Sequence, residues 1–410
     1  MTRYLTQISG PIPNTLKEIN IDLNGKNLII SGANGCGKTS FLKGLFKKIN
    51  LLIAQKKISD LDYLQSNLAQ LQSSLNKYEK GTIDHENFTN SISRISSEIK
   101  EITGGLQLKI SNPSNFSVKI DEKVAVIKLF DATRTANITH ADAARGIETA
   151  RTENIKNNNP GNNLEQHLVN LRNRRSLALT EDNNNELAER IRLWFEHFET
   201  NLKTLMEDSS TKLDFNSDTL KFSICQTGKP PYNFQTLSSG YMAIFDIYAD
   251  LFMRIEYANT TPEELCGLVF IDEIDAHLHV SLQRLILPFL ESSFPQIQFV
   301  VTTHSPFVLM SVNDAVIFDI SRNEQVEGDL SLYSYSAVIE GLLGTKPSSK
   351  LLDAVIEEIA TIAAATTANR DYDRLQQLIG KIENNGEKLD SRYKAFYKLG
   401  VSALLDKGDE

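Results

Sequence analysis

Residues Gly32-Ala33-Asn34-Gly35-Cys36-Gly37-Lys38-Thr39 match the spacing G-x-x-x-x-G-K-[ST] at every position. Those types suit a phosphate. Glycines at Gly32, Gly35 and Gly37 let successive backbone N–H groups turn inward around an anion. A helix that follows points its positive end at the same anion. Lys38 can reach β- and γ-phosphate oxygens, and the Thr39 hydroxyl can ligate Mg²⁺. Asn34 and Ser40 count with the loop as nucleotide contacts. An octapeptide of this kind also arises as a chance tight turn, so its flanks decide. Leu28-Ile29-Ile30 reads as a short buried strand. Phe41, Leu42, Leu45 and Phe46 then recur at helical spacing.

Three further segments carry chemistry. Leu268–Ile271 is an apolar strand that runs into Asp272-Glu273, which places two carboxylates at the crevice end of a parallel sheet. Consecutive strand residues face opposite sides, so the two acids are expected to divide the work. Asp272 holds Mg²⁺ through water, and Glu273 orients and polarises the attacking water. Without the phosphate loop, the plain reading would be a solvated acidic turn. The next strand ends in Thr302-Thr303-His304-Ser305-Pro306, where His304 can hydrogen-bond a γ-phosphate oxygen or that water. A lone histidine is more often structural. His277 and His279 suggest a metal, but no further Cys or carboxylate stands at ligand spacing. Lastly, Leu237-Ser238-Ser239-Gly240-Tyr241 precedes an apolar helix marked by Ile244, Phe245, Tyr248 and Leu251. Serines and glycine at a helix start form another anion site, although such caps are frequent.

These segments need a scaffold. Tyr4–Ile8 and Ile19–Leu23 read as strands around Pro11 and Pro13. Between 50 and 103, two runs (Leu61, Leu64, Leu68, Leu71, Leu75, Tyr78, then Phe88, Ile92, Ile95, Ile99, Ile102) flank Lys80-Gly81-Thr82. They read as a protruding antiparallel coiled-coil hairpin, with ordinary packed helices as the alternative. Val124–Phe130 is a strand ending in Asp131-Ala132-Thr133-Arg134. The Asn-rich stretch Gly146–Asn163 reads as a flexible loop or lid. Leu187 to Leu205 marks an amphipathic helix, and Leu213–Phe215 with Leu220–Ile224 a hairpin. Leu268–Ile271, a helix over Leu278–Leu290, and Ile297–Val301 form a strand–helix–strand unit with parallel pairing and a right-handed crossover. Beyond 335 the chain reads as helical, with polar breaks near Lys346–Ser349, Thr366–Arg370 and Asn384–Glu387.

Composition sets outer bounds. The 410 residues suffice for two or three domains, or one large domain with insertions. A hydrophobic content of 41% is ordinary for a globular protein, and no apolar run is long enough to span a bilayer. The start lacks a signal-peptide pattern, and Cys36, Cys225 and Cys266 read as reduced thiols. A cytoplasmic protein without a membrane partner is expected. A net charge of −9 argues against a chain that mainly coats DNA.

The order phosphate loop, Leu-Ser-Ser-Gly, acidic strand, histidine resembles the ABC ATPases of the SMC/RecF branch. Phe270-Ile-Asp-Glu-Ile-Asp-Ala-His-Leu-His279 with Thr302-Thr-His-Ser-Pro306 is similar to the ATPases of anti-phage defence and OLD-type systems, such as those of PARIS and Septu. The resemblance covers about half the chain: roughly 1–48, 120–135 and 235–320. It implies an α/β fold, an ABC/SMC-like P-loop head with a mixed sheet, an inserted coiled-coil hairpin and a C-terminal helical region. Residues 1–49, 104–145 and 210–335 would form the head, 50–103 the hairpin, 146–209 a flexible loop and helical lobe, and 336–410 a helical partner-docking region. Ser238, Ser239 and Gly240 would act as the signature that closes on ATP held by a second subunit. Asp275 would sit in the D-loop, and His304 would be the switch histidine. ATP and Mg²⁺ are the implied cofactors, and a head-to-tail homodimer or higher homo-oligomer the implied assembly.

Two features depart from the pattern. Ser239 replaces a frequent glycine, and no Q-loop glutamine is evident. The strand end Asp131–Arg134 takes that place, with Arg134 reaching phosphate or the partner subunit. The leading expectation is an ATPase sensor subunit controlling a separate effector such as a Toprim-type nuclease, because no acidic cluster on strands follows the last motif. A DNA-repair or DNA-clamping ATPase is the alternative, with Lys47, Lys48, Arg172, Arg174 and Arg175 lining a groove. A nucleotide-gated scaffold without turnover is a third reading, and Glu273 argues against it.

Overall fold

The computed structural model describes residues 3–13, 15, 17–75, 77–78, 81–154, 157–326, 330, 333, 335–341, 350–365, 370–383 and 391–405. The chain divides into two compact units, Met1–Val338 and Ile339–Glu410.

The first unit opens with β1 (Leu5–Pro11) and β2 (Glu18–Asp22), then β3 (Asn27–Ser31) and α1 (Lys38–Ile49). A π-helical turn leads to α2 (Lys57–Leu75) and α3 (Ile83–Thr103). Next come β4 (Gln107–Ile110), α4 (Pro113–Asp121), β5 (Ala125–Phe130), α5 (Ile147–Asn154), α6 (Leu164–Thr180) and α7 (Asn185–Leu205). The hairpin β6 (Lys212–Asn216) and β7 (Lys221–Cys225) precedes α8 (Ser239–Ala258). Then follow β8 (Cys266–Ile271), α9 (Val280–Ser293), β9 (Ile297–Thr302), α10 (Pro306–Leu309), β10 (Ala315–Asp319), β11 (Glu324–Val326) and α11 (Tyr335–Gly341).

Every residue of β3, β8 and β9 is buried. Strands covered on both faces belong in the middle of a parallel sheet, and that is where they lie, in the order β11-β10-β3-β9-β8-β5. All pairs are parallel except the edge strand β11. The five parallel strands therefore deliver their following loops to one edge. Those loops begin at Gly32, Asp131, Asp272, Thr303 and Ile320.

An antiparallel sheet, β2-β1-β4, packs beside the main one. Fully buried Gln298 joins the two, because its side-chain amide imitates a strand. Its Oε1 accepts the Leu5 N–H at 3.0 Å, and its Nε2 donates to Leu5 O at 2.9 Å and Lys26 O at 2.6 Å. Leu64, Ile95 and Ile102 of α2 and α3 share one core with Leu28, Phe41 and Phe270. Near the other end of the pair, Tyr78 stacks on Phe88 with ring centroids 5.0 Å apart. Buried Lys48 of α1 donates to Ile102 O (2.6 Å) and Gly104 O (2.7 Å), which ties the last carbonyls of α3 to the helix behind the phosphate loop.

The stretch Gly146–Asn163 departs from the flexible loop expected of it. Residues 147–154 are helical, and Pro160–Asn163 forms a helical turn with Pro160 and Gly161 buried. The anchor is a missing side chain. A Cβ on Gly161 would lie 2.7 Å from Asp250 N on α8, so only glycine lets the backbones meet. Polar composition hid that contact.

The second unit contains α12 (Lys350–Ala364), α13 (Tyr372–Glu383) and α14 (Ser391–Leu405). Its own core includes Ile359, Leu375, Leu378 and Ile382. Arg374 forks onto Glu358 at 2.6 and 2.9 Å. The expected breaks at 346–349, 366–369 and 384–387, and Lys80 at the hairpin turn, lie outside the described residues. Among the described residues, no helix is long and apolar enough to cross a membrane.

Replacing Gly161 with Val should destabilise the first unit by about 1–3 kcal/mol through overpacking against α8. A urea unfolding midpoint lower than that of the native chain checks this.

Candidate nucleotide site

The loop between β3 and α1 turns on three glycines with positive φ: Gly32 (139°), Gly35 (75°) and Gly37 (99°). Gly32 also has no room for a side chain, since its Cβ would lie 2.7 Å from Ser321 Oγ. That serine follows β10 and accepts the Ala33 N–H at 2.7 Å, bracing the loop from the neighbouring strand. Lys38 is buried and donates to Gly32 O and Ala33 O, both at 3.0 Å. Burial pushes its pKa down, and Cys36, Glu273 and Asp272 oppose that shift. Asn34, Gly35, Thr39 and Ser40 stand exposed along the rim.

Asp272 is buried just past β8 and gathers the site. Its Oδ1 accepts the hydroxyls of Thr39 (3.1 Å) and Thr302 (2.7 Å). The Thr302 oxygen in turn accepts the Glu273 N–H at 2.7 Å. Thr39 and Asp272 offer adjacent oxygens beside the phosphate loop, a donor set that fits Mg²⁺, which favours oxygen ligands and retains water and phosphate.

Glu273 does not continue the strand. Its φ is +44°, and this left-handed turn, rather than strand alternation, separates its carboxylate from that of Asp272. The side chain is exposed and accepts no hydrogen bond from the described residues. A non-glycine residue in this region costs about 1–3 kcal/mol and persists only where neighbours hold it. Arg134 is one such neighbour. Only 4% exposed, its guanidinium donates to the carbonyls of Asp131 (3.0 Å), Asp272 (2.5 Å), Glu273 (3.0 Å) and Ile274 (3.3 Å). Arg134, expected at phosphate or the partner subunit, clasps its own acidic turn in this structure.

The remaining expected residues fall around this cluster. Asp275 accepts the Thr303 hydroxyl at 2.5 Å, which turns its carboxylate toward its own chain. His304 is half-buried beside Lys38, Glu273 and Asp275. Burial and the Lys38 charge lower its pKa, and the two carboxylates oppose this only in part. His279 caps α9 through Ser281 N, and His277 lies in the turn before it at φ +64°. Ser238 and Ser239 are exposed at the start of α8, and the Ser238 side chain makes no capping bond. Gly240 lies against the turn after Glu273, where a Cβ would come 3.1 Å from His277 O. Thr302 and Ser321 carry no signal of their own in the sequence. Thr302 stands inside a motif read for its histidine, and Ser321 stands in no motif.

Three of the cations expected along a DNA groove are otherwise engaged. Lys48 caps α3, Arg174 pairs with Asp182, and Arg172 lies 4.7 Å over the Phe195 ring. Arg175 has a buried Nε and lies close enough to Arg172 to depress that residue's pKa.

A glycine loop ending in Lys-Thr, joined through Asp272 to an acidic turn on a mostly parallel sheet, defines a P-loop nucleotide-binding protein of the ATPase type. The chain belongs to the family described as "AAA domain, putative AbiEii toxin, Type IV TA system", matched over residues 28–311, which includes every motif above. It is similar to the Retron Ec83 probable ATPase of Escherichia coli, 40% identical over 92 residues, 22% of this chain and 17% of that protein. It is also similar to the Septu protein PtuA of Bacillus mycoides (strain KBAB4), 30% identical over 178 residues, 40% of this chain and 24% of that protein. The matched stretches thus span less than a quarter of either relative. A solved SMC head domain from Thermotoga maritima aligns over 79% of this chain and 99% of its own, with a TM-score of 0.36 and 12% identity.

Arg134→Met should leave the Asp272, Glu273 and Ile274 carbonyls without their partner and cost about 2–4 kcal/mol of stability. Nucleotide affinity should change little while turnover falls at least about 10-fold, as titration with a fluorescent ATP analogue and a phosphate-release assay would show.

Proposed function

We propose that this chain is an ATP-hydrolysing switch of a bacterial anti-phage system, which assembles with a second copy of itself and governs a separate effector. The observation that carries the reading is the shared bond set. Thr39 of the phosphate loop, Asp272, Thr302 and the Glu273 backbone form one hydrogen-bonded unit. The relatives named as a retron ATPase and a Septu protein support the defence setting.

In this reading the glycine loop cradles the β-phosphate, and Lys38 exchanges its loop carbonyls for β- and γ-oxygens. Mg²⁺ between Thr39 and Asp272 would neutralise charge on those oxygens. Glu273, held out of the strand, accepts a hydrogen bond from the attacking water and aligns it with the γ-phosphorus. His304, neutral at pH 7, hydrogen-bonds the γ-phosphoryl group or that water. Ser238, Ser239 and Gly240 of a second copy cap the same phosphate with the start of α8, and Asp275 lies at the edge of that interface. ATP then favours the paired state and hydrolysis releases it. The α2–α3 pair presents one surface that changes, the helices after 339 are proposed to dock a partner, and a Toprim-type nuclease is the effector class proposed. The DNA-clamping alternative loses support from the engagement of Lys48, Arg172 and Arg174.

Three outcomes test this. Lys38→Ala should abolish ATP binding in equilibrium titration. Glu273→Gln should bind ATP, lose at least about 100-fold in turnover and elute as a paired species whose mass light scattering reads directly. A Glu273→Gln chain that still turns over ATP would remove the assigned role. Because the His304 pKa lies below the usual value of about 6.5, the rate should hold as pH falls from 7 to that value. It should decline only at lower pH, as His304 takes up a proton. His304→Gln should lose that acid limb in a pH–rate profile.

A further inference from the structure

A second polar cavity, of about 250 Å³, lies away from the phosphate loop, among the 139–145 segment, α6 and the end of α8. Asn170 of α6 lines it and is 1% exposed. Its Oδ1 accepts the Arg145 N–H (2.8 Å) and Gln166 Nε2 (2.9 Å), yet its buried Nδ2 has no partner. An unanswered buried donor of this kind is destabilising, and an acceptor in the cavity would relieve it. Arg145 lines the same space, and its guanidinium meets Asp142, whose side chain is 73% exposed. His140 supplies a third group. Its Nδ1 lies 3.1 Å from Glu165 Oε2, a carboxylate buried completely. His167 is held in the same way, 3.0 Å from Glu256.

The wall of this cavity reaches the signature segment. Glu165 Oε1 accepts the Phe222 N–H (3.1 Å), and Oε2 accepts Gln235 Nε2 (2.6 Å). Gln235 stands three residues before Ser238 and also donates to Ile138 O at 3.1 Å. His140, Glu165 and Gln235 thus form one chain of bonds from the cavity to the loop that opens α8.

We propose that this cavity binds a small molecule bearing a carboxylate or phosphate group, gripped by Asn170 Nδ2, Arg145 and His140, and that its occupation is felt at residues 234–238. The acceptor class follows from the donors: the buried atom left unpaired is an N–H, and Arg145 lines the space together with Asp142, the carboxylate it pairs with. The proposal stands apart from the nucleotide site, so it is tested on a chain with that site disabled.

The experiment is calorimetric titration of the full-length Lys38→Ala protein with inorganic phosphate in one arm and acetate in the other, followed by hydrogen exchange at saturation. Saturable binding of at least one probe is expected, with slowed exchange at 139–145, 163–170 and 234–238. Asn170→Asp keeps the acceptor for Arg145 and Gln166 but replaces the free donor with a charge that repels anions, and should weaken binding at least 10-fold. If Asn170→Asp does not fold, Arg145→Gln serves the same purpose. Absence of saturation with both probes, or equal affinity in the variants, overturns the site. Binding without altered exchange at 234–238 overturns the link to the signature segment.

Discussion

Asp272 is a carboxylate buried at the end of a central strand, and burial of that charge without partners would cost several kcal/mol. No cation pairs with it directly among the described residues. Two hydroxyls satisfy it instead, one from Thr39 on the phosphate loop and one from Thr302 on the next strand. That arrangement makes the acid a junction. It registers β8 against the helix that starts at Lys38, and through the Thr302 oxygen it fixes the backbone of Glu273. The donors of the cluster are neutral hydroxyls. Low local dielectric strengthens each of these bonds and raises the cost of losing any one.

The sheet exists to bring those groups together. Parallel strands need crossover helices, and the result is that five strand ends converge on one edge. Each end contributes different groups: the glycine loop after β3, the Arg134 clasp after β5, the acids after β8, Thr303 and His304 after β9, and the Ser321 brace after β10. Function is then divided by reach. Groups tied into the sheet, such as Asp272 and Thr302, are buried and hydrogen-bonded to each other. Glu273, Ser238 and Ser239 are exposed, where a substrate or a second chain can meet them.

Much of this was legible from residue types. The octapeptide at Gly32, the apolar strands before Asp272 and Thr303, and the helix after Ser239 announce themselves because glycine, charge and continuous apolar runs are strong signals. What stayed hidden depends on contacts between distant segments. The separation of Asp272 from Glu273 seemed to follow from strand alternation, whereas it rests on a left-handed turn held by Arg134, 139 residues away. Thr302 and Ser321 are ordinary residues whose importance appears only when two strands lie side by side. The Asn-rich stretch before α6 looked unanchored because its anchor at Gly161 is the absence of a side chain.

The role of the Asp272 junction is most directly measured in Thr302→Val, which keeps the shape of the side chain and removes only its oxygen. Stopped-flow measurement of ATP binding together with single-turnover hydrolysis separates the two steps. The account predicts near-native binding with hydrolysis slowed at least about 100-fold, as expected when Glu273, proposed to position water, loses its support. Hydrolysis at the native rate in that variant would contradict it.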